Sequence, residues 1–320
     1  MLNYIKDGKL QRYKFMKLYG IGNALFYYRE QNHLSQAQVC EGICPEMTLS
    51  RIETGEREFD SMISETLLER VGKTANRFEF VLNNEDYVLY ELREKIKQAV
   101  NDDKVEMAKE CLNKYKSIMP ERAVLHEQFV LYYKALIMEK EGEEKQTILN
   151  ILHDAINLTR PDYKEKTTKK ILYSNIEINI IYHLFTYEDY TEEMLSPVLR
   201  FVGEMYDEEE KGDILIPFYL FLVRRYETEE KFYEMKRIIE QAIVLLQKGR
   251  SYLYLTEFYF YEVKAMYGLC KCAQDWKAEK LEMLERCNEI YYMSMIIEDD
   301  GMMRQVMQFC EENLECQITM

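Results

Sequence analysis

Two hydrophobic rhythms divide the chain. Between Ile21 and Thr54 apolar positions come in brief helical groups, Leu25 with Tyr28, Leu34 with Val39 and Leu49 with Ile52, each closed off within a few turns. From Glu85 onward they recur three and four residues apart over longer stretches with few prolines, the pattern of amphipathic helices. The spacing predicts helices over 85–100, 103–118, 122–141, 144–159, 166–187, 191–206, 214–227, 231–248, 252–274, 277–297 and 301–315. Alternate helices begin at 85, 122, 166, 214 and 252. Stacked helix pairs are expected, longer and less regular than the roughly 34 residues of a tetratricopeptide (TPR) repeat and without its Trp/Gly/Tyr signature. The acidic runs Glu141 to Glu144 and Asp207 to Glu210 read as solvated loops between them.

Local signals are sharper in the first region. Ser35-Gln36-Ala37-Gln38 fits an S-x-x-Q capping box, with Leu34 and Val39 flanking it as a hydrophobic staple. Gly42 permits a tight turn, Cys44-Pro45 starts another helix with proline at its first helical position, and Gly55 ends it. A preceding helix over 21–31 completes a compact helix-turn-helix core. With Leu49 and Ile52 facing inward, Met47, Ser50, Arg51 and Thr54 share the opposite face. That face suits a DNA major groove: Arg51 for guanine or phosphate, Ser50 and Thr54 for phosphate or base edges, Met47 for a thymine methyl. Gln36, at a helix N-terminus, is placed for a phosphate oxygen. The plainer alternative pairs Arg51 with Glu53 or Glu56 on a solvated surface and leaves Ser35 and Gln38 as caps alone.

Charge sharpens this division. The chain carries a net charge of −15, yet Met1 to Phe80 holds 11 Lys and Arg against 11 Asp and Glu, so the whole excess lies beyond Phe80. Lys6, Lys9, Arg12, Lys14 and Lys17 make the first twenty residues the place for a polyanion contact. No apolar run approaches the roughly 18–20 residues of a membrane helix, so a cytoplasmic protein without a membrane partner is expected. The eight cysteines lie scattered through helical segments and read as reduced thiols. No second pair completes zinc-site spacing around Cys40 and Cys44 or Cys270 and Cys272, so neither a metal nor a cofactor is expected. GxSxG, P-loop, GxGxxG and HExxH strings are all absent, which sets catalysis aside.

The segment from Ile21 to Arg57, with its LSQ, turn glycine, TLSRIE and Gly-Glu-Arg, resembles the XRE/Cro-type helix-turn-helix of bacterial regulators. That resemblance implies DNA contacts from Gln36, Thr48, Ser50 and Arg51, and the candidate DNA face is completed by Glu46, Met47, Thr54 and Arg57. Glu46 departs from the pattern, since a carboxylate in the first turn opposes phosphate unless it accepts from a cytosine amino group.

Three later segments supply candidates for a concave ligand surface. Asn175, Asn179 and Tyr182 share a stripe in LYSNIEINIIYHLF; Arg224 and Arg225 end PFYLFLVRRY; Tyr254, Glu257, Tyr261 and Lys264 share a stripe in YLYLTEFYFYEVK. Paired asparagines can each bond a peptide amide and carbonyl, and arginine can hold a carboxylate. Equally, the asparagines can pair with helix ends of adjacent repeats and the tyrosines can be ordinary repeat packing.

An XRE-type headpiece before degenerate TPR-like helices, with NIEINIIYHL among them, resembles the Rgg/PlcR-like peptide-sensing regulators of the RRNPP group. The resemblance implies an all-α chain: a lambda repressor-like helix-turn-helix domain over 1–80, then a TPR-like right-handed α-superhelix over 81–320 for peptide binding and dimerisation. It further implies a cytoplasmic homodimer that binds a double-stranded DNA operator under control of a short oligopeptide. The alternative is a TPR-like interaction adaptor that carries a DNA-binding headpiece.

Overall fold

The computed structural model describes residues 21–56, 61–73, 84–163, 170–188, 192–249, 254–271 and 277–316. Among the described residues the chain is all-α, with fifteen helices and no strand. It forms two compact units, Met1–Met205 and Tyr206–Met320.

The first unit begins with the headpiece: α1 (Ile21–Gln31), α2 (Gln36–Cys40), α3 (Glu46–Glu53) and α4 (Ser61–Arg70). Leu25, Leu34, Val39, Leu49, Ile52, Leu67 and Leu68 make its core, so the apolar groups seen in the sequence do converge. The capping box forms at α2: the Gln38 amide donates to Ser35 Oγ and the Ser35 amide to Gln38 Oε1 at 2.9 Å. Gly42 has φ +71° and Gly55 φ +73°, the left-handed turns that end α2 and α3. One expectation shifts by a residue. Pro45 has ψ 145° and is the N-cap of α3 rather than its first helical residue, because the preceding turn delivers it extended.

Then come α5 (Asn84–Asn101), α6 (Val105–Ile118), α7 (Val124–Lys140), α8 (Lys145–Asn157), α9 (Asn175–Tyr187) and α10 (Glu192–Met205). From α5 to α9 each helix packs on the next, and α4 of the headpiece packs on α7. Met62 of α4 joins Leu89, Leu92, Ile96, Tyr115 and Phe129 in one core, so headpiece and first repeats share buried surface. The second unit stacks α11 (Glu208–Thr228), α12 (Phe232–Lys248), α13 (Leu255–Cys270), α14 (Lys277–Ile296) and α15 (Asp300–Asn313) in sequence.

Two helix starts differ from the periodicity. Helix α9 begins at Asn175, not 166, because Ser174 and Glu177 form a second capping box and Ile171, Leu172 and Tyr173 enter the core as irregular chain. Helix α11 begins at Glu208, not 214. Asp207 accepts from the Glu210 amide as its N-cap and Glu210 is buried, so this acidic run opens a helix instead of forming a loop. The Glu141 to Glu144 turn is exposed, as expected of a solvated connection. No disulfide joins the described cysteines.

Candidate nucleic-acid interface and ligand faces

Helix α3 is seated by its apolar side and presents the other. Leu49 and Ile52 are buried, while Glu46, Met47, Arg51 and Thr54 are exposed, Met47 to 65%, and Thr48 and Ser50 are half-buried. Among the described residues no hydrogen bond or ion pair engages the Arg51 guanidinium, so it extends from the surface. The Thr54 hydroxyl donates to the Arg51 carbonyl at 3.2 Å and keeps its lone pairs for an incoming donor. Arg57 lies outside the described residues, as do the basic residues before Ile21.

Glu53 does not pair with Arg51; it is buried and belongs to Arg29. The Arg29 guanidinium bonds it twice, Nε to Oε1 at 2.6 Å and Nη2 to Oε2 at 3.0 Å. Burial works against the arginine's charge, yet the carboxylates of Glu53 and Glu30 outweigh it and raise the Arg29 pKa above its ordinary value. A bidentate pair of this kind locks α1 to the end of α3. Gln36 joins it, its amide nitrogen donating to Glu53 Oε2 at 2.7 Å. The Gln36 side chain is therefore pre-oriented, with its amide oxygen as the remaining polar atom. No sequence signal named Arg29; an arginine one turn after Leu25, on an apolar helix face, was the available clue.

The headpiece turn is clasped from behind by Arg70 of the headpiece itself and by residues of the repeats. Arg70, on α4, donates to the Val39 and Glu41 carbonyls and sits 2.7 Å from Glu177 on α9, both side chains wholly buried. Arg160 donates to Glu41 Oε2 at 2.7 Å and to the Leu172 carbonyl at 2.5 Å, with its Nε 3.8 Å from Glu177. Burial disfavours the Glu177 charge, but Arg70 and Arg160 prevail and hold its carboxyl below the usual range. Residues separated by more than a hundred positions meet here, which no local pattern announces.

Of the ligand-face candidates in the first unit, Asn175 is partly committed: its side-chain amide donates to Glu69 Oε1 at 2.9 Å and its backbone amide to Glu69 Oε2 at 3.0 Å. Asn179 is exposed, and Tyr182, three residues on, is half-buried with its ring edge-on to His183. In the second unit, Arg224 donates to Glu257 at 2.7 Å and to the Tyr261 hydroxyl at 3.2 Å, while Lys264 lies over the Tyr261 ring and pairs with Glu227 at 2.8 Å. Three residues named from two separate segments thus form one polar cluster. Arg225 is bonded to Glu229, the C-cap of its own helix, and Tyr254 is the half-buried N-cap of α13.

Solved structures of bacterial regulators align with most of the chain. The apo competence regulator ComR of Streptococcus vestibularis is 17% identical, with 92% of this chain and 97% of that one covered and a TM-score of 0.47. PlcR of Bacillus thuringiensis, solved with the peptide PapR7 and DNA, is 14% identical over 89% and 98%, with a TM-score of 0.48. The SHP pheromone receptor Rgg2 of Streptococcus dysgalactiae is 13% identical over 91% and 99%, with a TM-score of 0.44. The chain is similar to Rgg, PlcR and ComR. No protein-family description and no curated protein matches it.

Proposed function

We propose that this chain is a sequence-specific DNA-binding transcriptional regulator of the cytoplasm, controlled by a short signalling peptide held by its TPR-like helices. The observation that carries the DNA half is the reading face of α3. Its apolar side is buried, its end is fixed through Glu53 to Arg29 and Gln36, and Met47, Arg51 and Thr54 face solvent. A helix so held loses little entropy on entering a groove, and its arginine needs no other partner displaced. Residues 1–80 act as the reading domain and 81–320 as the sensing and dimerising domain.

The peptide half is supported by polar groups on otherwise apolar repeat helices: the exposed Asn179 beside Tyr182, and separately Arg224 with Glu257 and Tyr261. The excess negative charge beyond Phe80 favours a neutral or basic peptide over an acidic one. Because the first eighty residues carry no net charge, one headpiece neutralises few phosphates and binds weakly alone, so a homodimer on paired half-sites is the expected DNA-bound form.

Gel-shift titration on a duplex selected by the wild-type chain tests the reading face. Arg51→Ala is expected to lose about 1–3 kcal/mol of binding while remaining folded. An unchanged affinity on that duplex removes Arg51 from the face. Calorimetry with synthetic peptides encoded by short reading frames beside the gene tests sensing, with Asn179→Ala expected to weaken any peptide that binds.

A further inference from the structure

Two cysteines stand at opposite ends of the turn that joins α2 to α3. Cys40 is the last residue of α2 and is buried, Cys44 precedes the N-cap Pro45 and is half-buried, and their sulfurs are 3.7 Å apart. A disulfide brings two sulfurs to about 2.05 Å.

We propose that Cys40 and Cys44 are a thiol pair that a peroxide oxidises to an intramolecular disulfide, and that closing this bond displaces the start of α3 and weakens DNA reading.

The backbone is what holds the pair together. Glu41 has φ −51° and ψ 122° and Gly42 has φ +71°, the dihedrals of a type II turn, in which glycine takes the left-handed position without strain. The Cys40 carbonyl accepts from the Ile43 amide at 2.8 Å and from the Cys44 amide at 3.1 Å, so the chain folds back on itself within four residues.

The two thiols differ as an attacking and a resolving group must. Cys44 is followed by the exposed Pro45 and Glu46, where a small oxidant has access. The hydrogen bond with Cys44 and then burial push the Cys40 thiol above its ordinary value, with Arg70 opposing the rise. Cys40 therefore keeps its proton, and Cys44 is the sulfur that attacks. Its attack breaks the peroxide O–O bond, leaving a sulfenic acid on Cys44 and a hydroxide that departs as water with the Cys44 proton. The Cys40 sulfur then attacks the Cys44 sulfur, the S–O bond breaks, and the second hydroxide leaves as water with the Cys40 proton. Two thiols are oxidised to one disulfide while one peroxide is reduced to two waters.

The movement falls on the α3 side. Cys40 is 3% exposed within the headpiece core, and Gly42 backs onto the Thr159 carbonyl, where a Cβ would stand at 2.2 Å. Cys44 instead leads through Pro45 into Glu46 and Met47, the exposed first turn of α3. The N-terminal residues of a recognition helix are those that meet base edges, so displacement there costs recognition. In a reducing compartment the pair rests as thiols, and the disulfide is a transient response to oxidant.

Only the affinity readout rests on the DNA-binding reading; the chemical readout does not. The full chain is treated with hydrogen peroxide, denatured, alkylated and digested with trypsin, which releases Glu30 to Arg51 with both cysteines in one peptide. That peptide is expected to lose two hydrogen atoms and take up no alkyl group, while the buried Cys287 and Cys310 are alkylated in full. In Cys40→Ala a dione probe for sulfenic acid is expected to label Cys44, and in Cys44→Ser Cys40 is expected to stay reduced. On a duplex selected by the reduced chain, peroxide is expected to weaken wild-type binding by about tenfold or more, the loss of one base contact, with dithiothreitol restoring it and Cys44→Ser showing no response. Alkylation of both Cys40 and Cys44 after peroxide, or a Cys44 bond to another chain on a non-reducing gel, overturns the pair. If Cys40→Ala does not fold, Cys44→Ser, at a half-buried site, decides the order of attack, and oxidation of Cys40 in that variant overturns it. A disulfide that forms without change in affinity overturns the displacement of α3. Failure of the reduced chain to select any duplex instead overturns the DNA-binding reading, with the mass result still standing.

Discussion

Arg70 and Glu177 lie 2.7 Å apart with neither side chain exposed, one ending the last helix of the headpiece and the other in the first turn of α9. A pair this deep makes a sharp distinction between variants. Arg70→Ala strands the Glu177 carboxylate beside Arg160 and also frees the Val39 and Glu41 carbonyls, so a loss of about 3–5 kcal/mol is expected. Urea unfolding of the purified variant measures it, and a loss below about 1 kcal/mol means that the cluster relaxes without Arg70.

Two of the left-handed glycines of the headpiece, Gly42 and Gly55, should behave differently. Gly42→Ala and Gly55→Ala both meet the backbone cost of a positive φ, about 1–2 kcal/mol. Gly55 has open space where a Cβ would stand, whereas Gly42 faces the Thr159 carbonyl at 2.2 Å. Thermal unfolding is expected to show Gly42→Ala as clearly the more damaging of the two; equal losses mean that the turn can lift away from Thr159.

Within the headpiece, stability and the proposed recognition are expected to separate cleanly. Glu53→Ala removes the shared acceptor of Arg29 and Gln36 and leaves a buried guanidinium, with an expected loss of about 3–5 kcal/mol. Arg51→Ala, on the exposed face, should fall within about 0.5 kcal/mol of wild type. Chemical denaturation of both variants tests the contrast, and comparable losses would place Arg51 in the folded core network.

Glu69 gives the clasp a pH dependence with a definite sign. Burial pushes its carboxyl up to about 7, against the pull of the Asn175 amide, with Glu65 adding to the rise, Lys97 opposing it and Glu177 adding to it. A carboxyl with a raised folded pKa favours the folded state when protonated, so this contribution is full below the ordinary carboxylate range and is lost as pH climbs to about 7. Between pH 5.5 and 8 wild type should lose about 1–2 kcal/mol more than Glu69→Gln, which cannot ionise. Parallel urea curves at the two pH values decide it, and identical pH slopes contradict the assignment.

What the sequence made legible follows from interaction range. Caps, turn glycines and helix faces depend on residues within about four positions, and Ser35 with Gln38, Gly42, Gly55, and Leu49 with Ile52 all behave as read. The misplaced starts of α9 and α11 are also local in origin: Ser174 with Glu177, and Asp207 with Glu210, are caps that the apolar period alone does not reveal. The charged clasp was invisible because Arg70 and Glu177 are brought together by packing, and a lone arginine at the end of α4 reads as a surface residue. Asn175 shows the same limit. Its side-chain and backbone amides both donate to Glu69, from the headpiece part of the sequence, a commitment that the helical stripe alone does not reveal.

The central claim is that α3 reads DNA sequence. Its most direct test is selection of bound duplexes by the full-length chain from a random library of about 30 base pairs, roughly three helical turns, followed by anisotropy titration of Arg51→Ala on the enriched sequence. Enrichment of a two-part motif, with affinity that falls as salt rises and a loss of about 1–3 kcal/mol for the variant, is the predicted result. A library that emerges without sequence enrichment, or a motif bound equally well by Arg51→Ala, contradicts it.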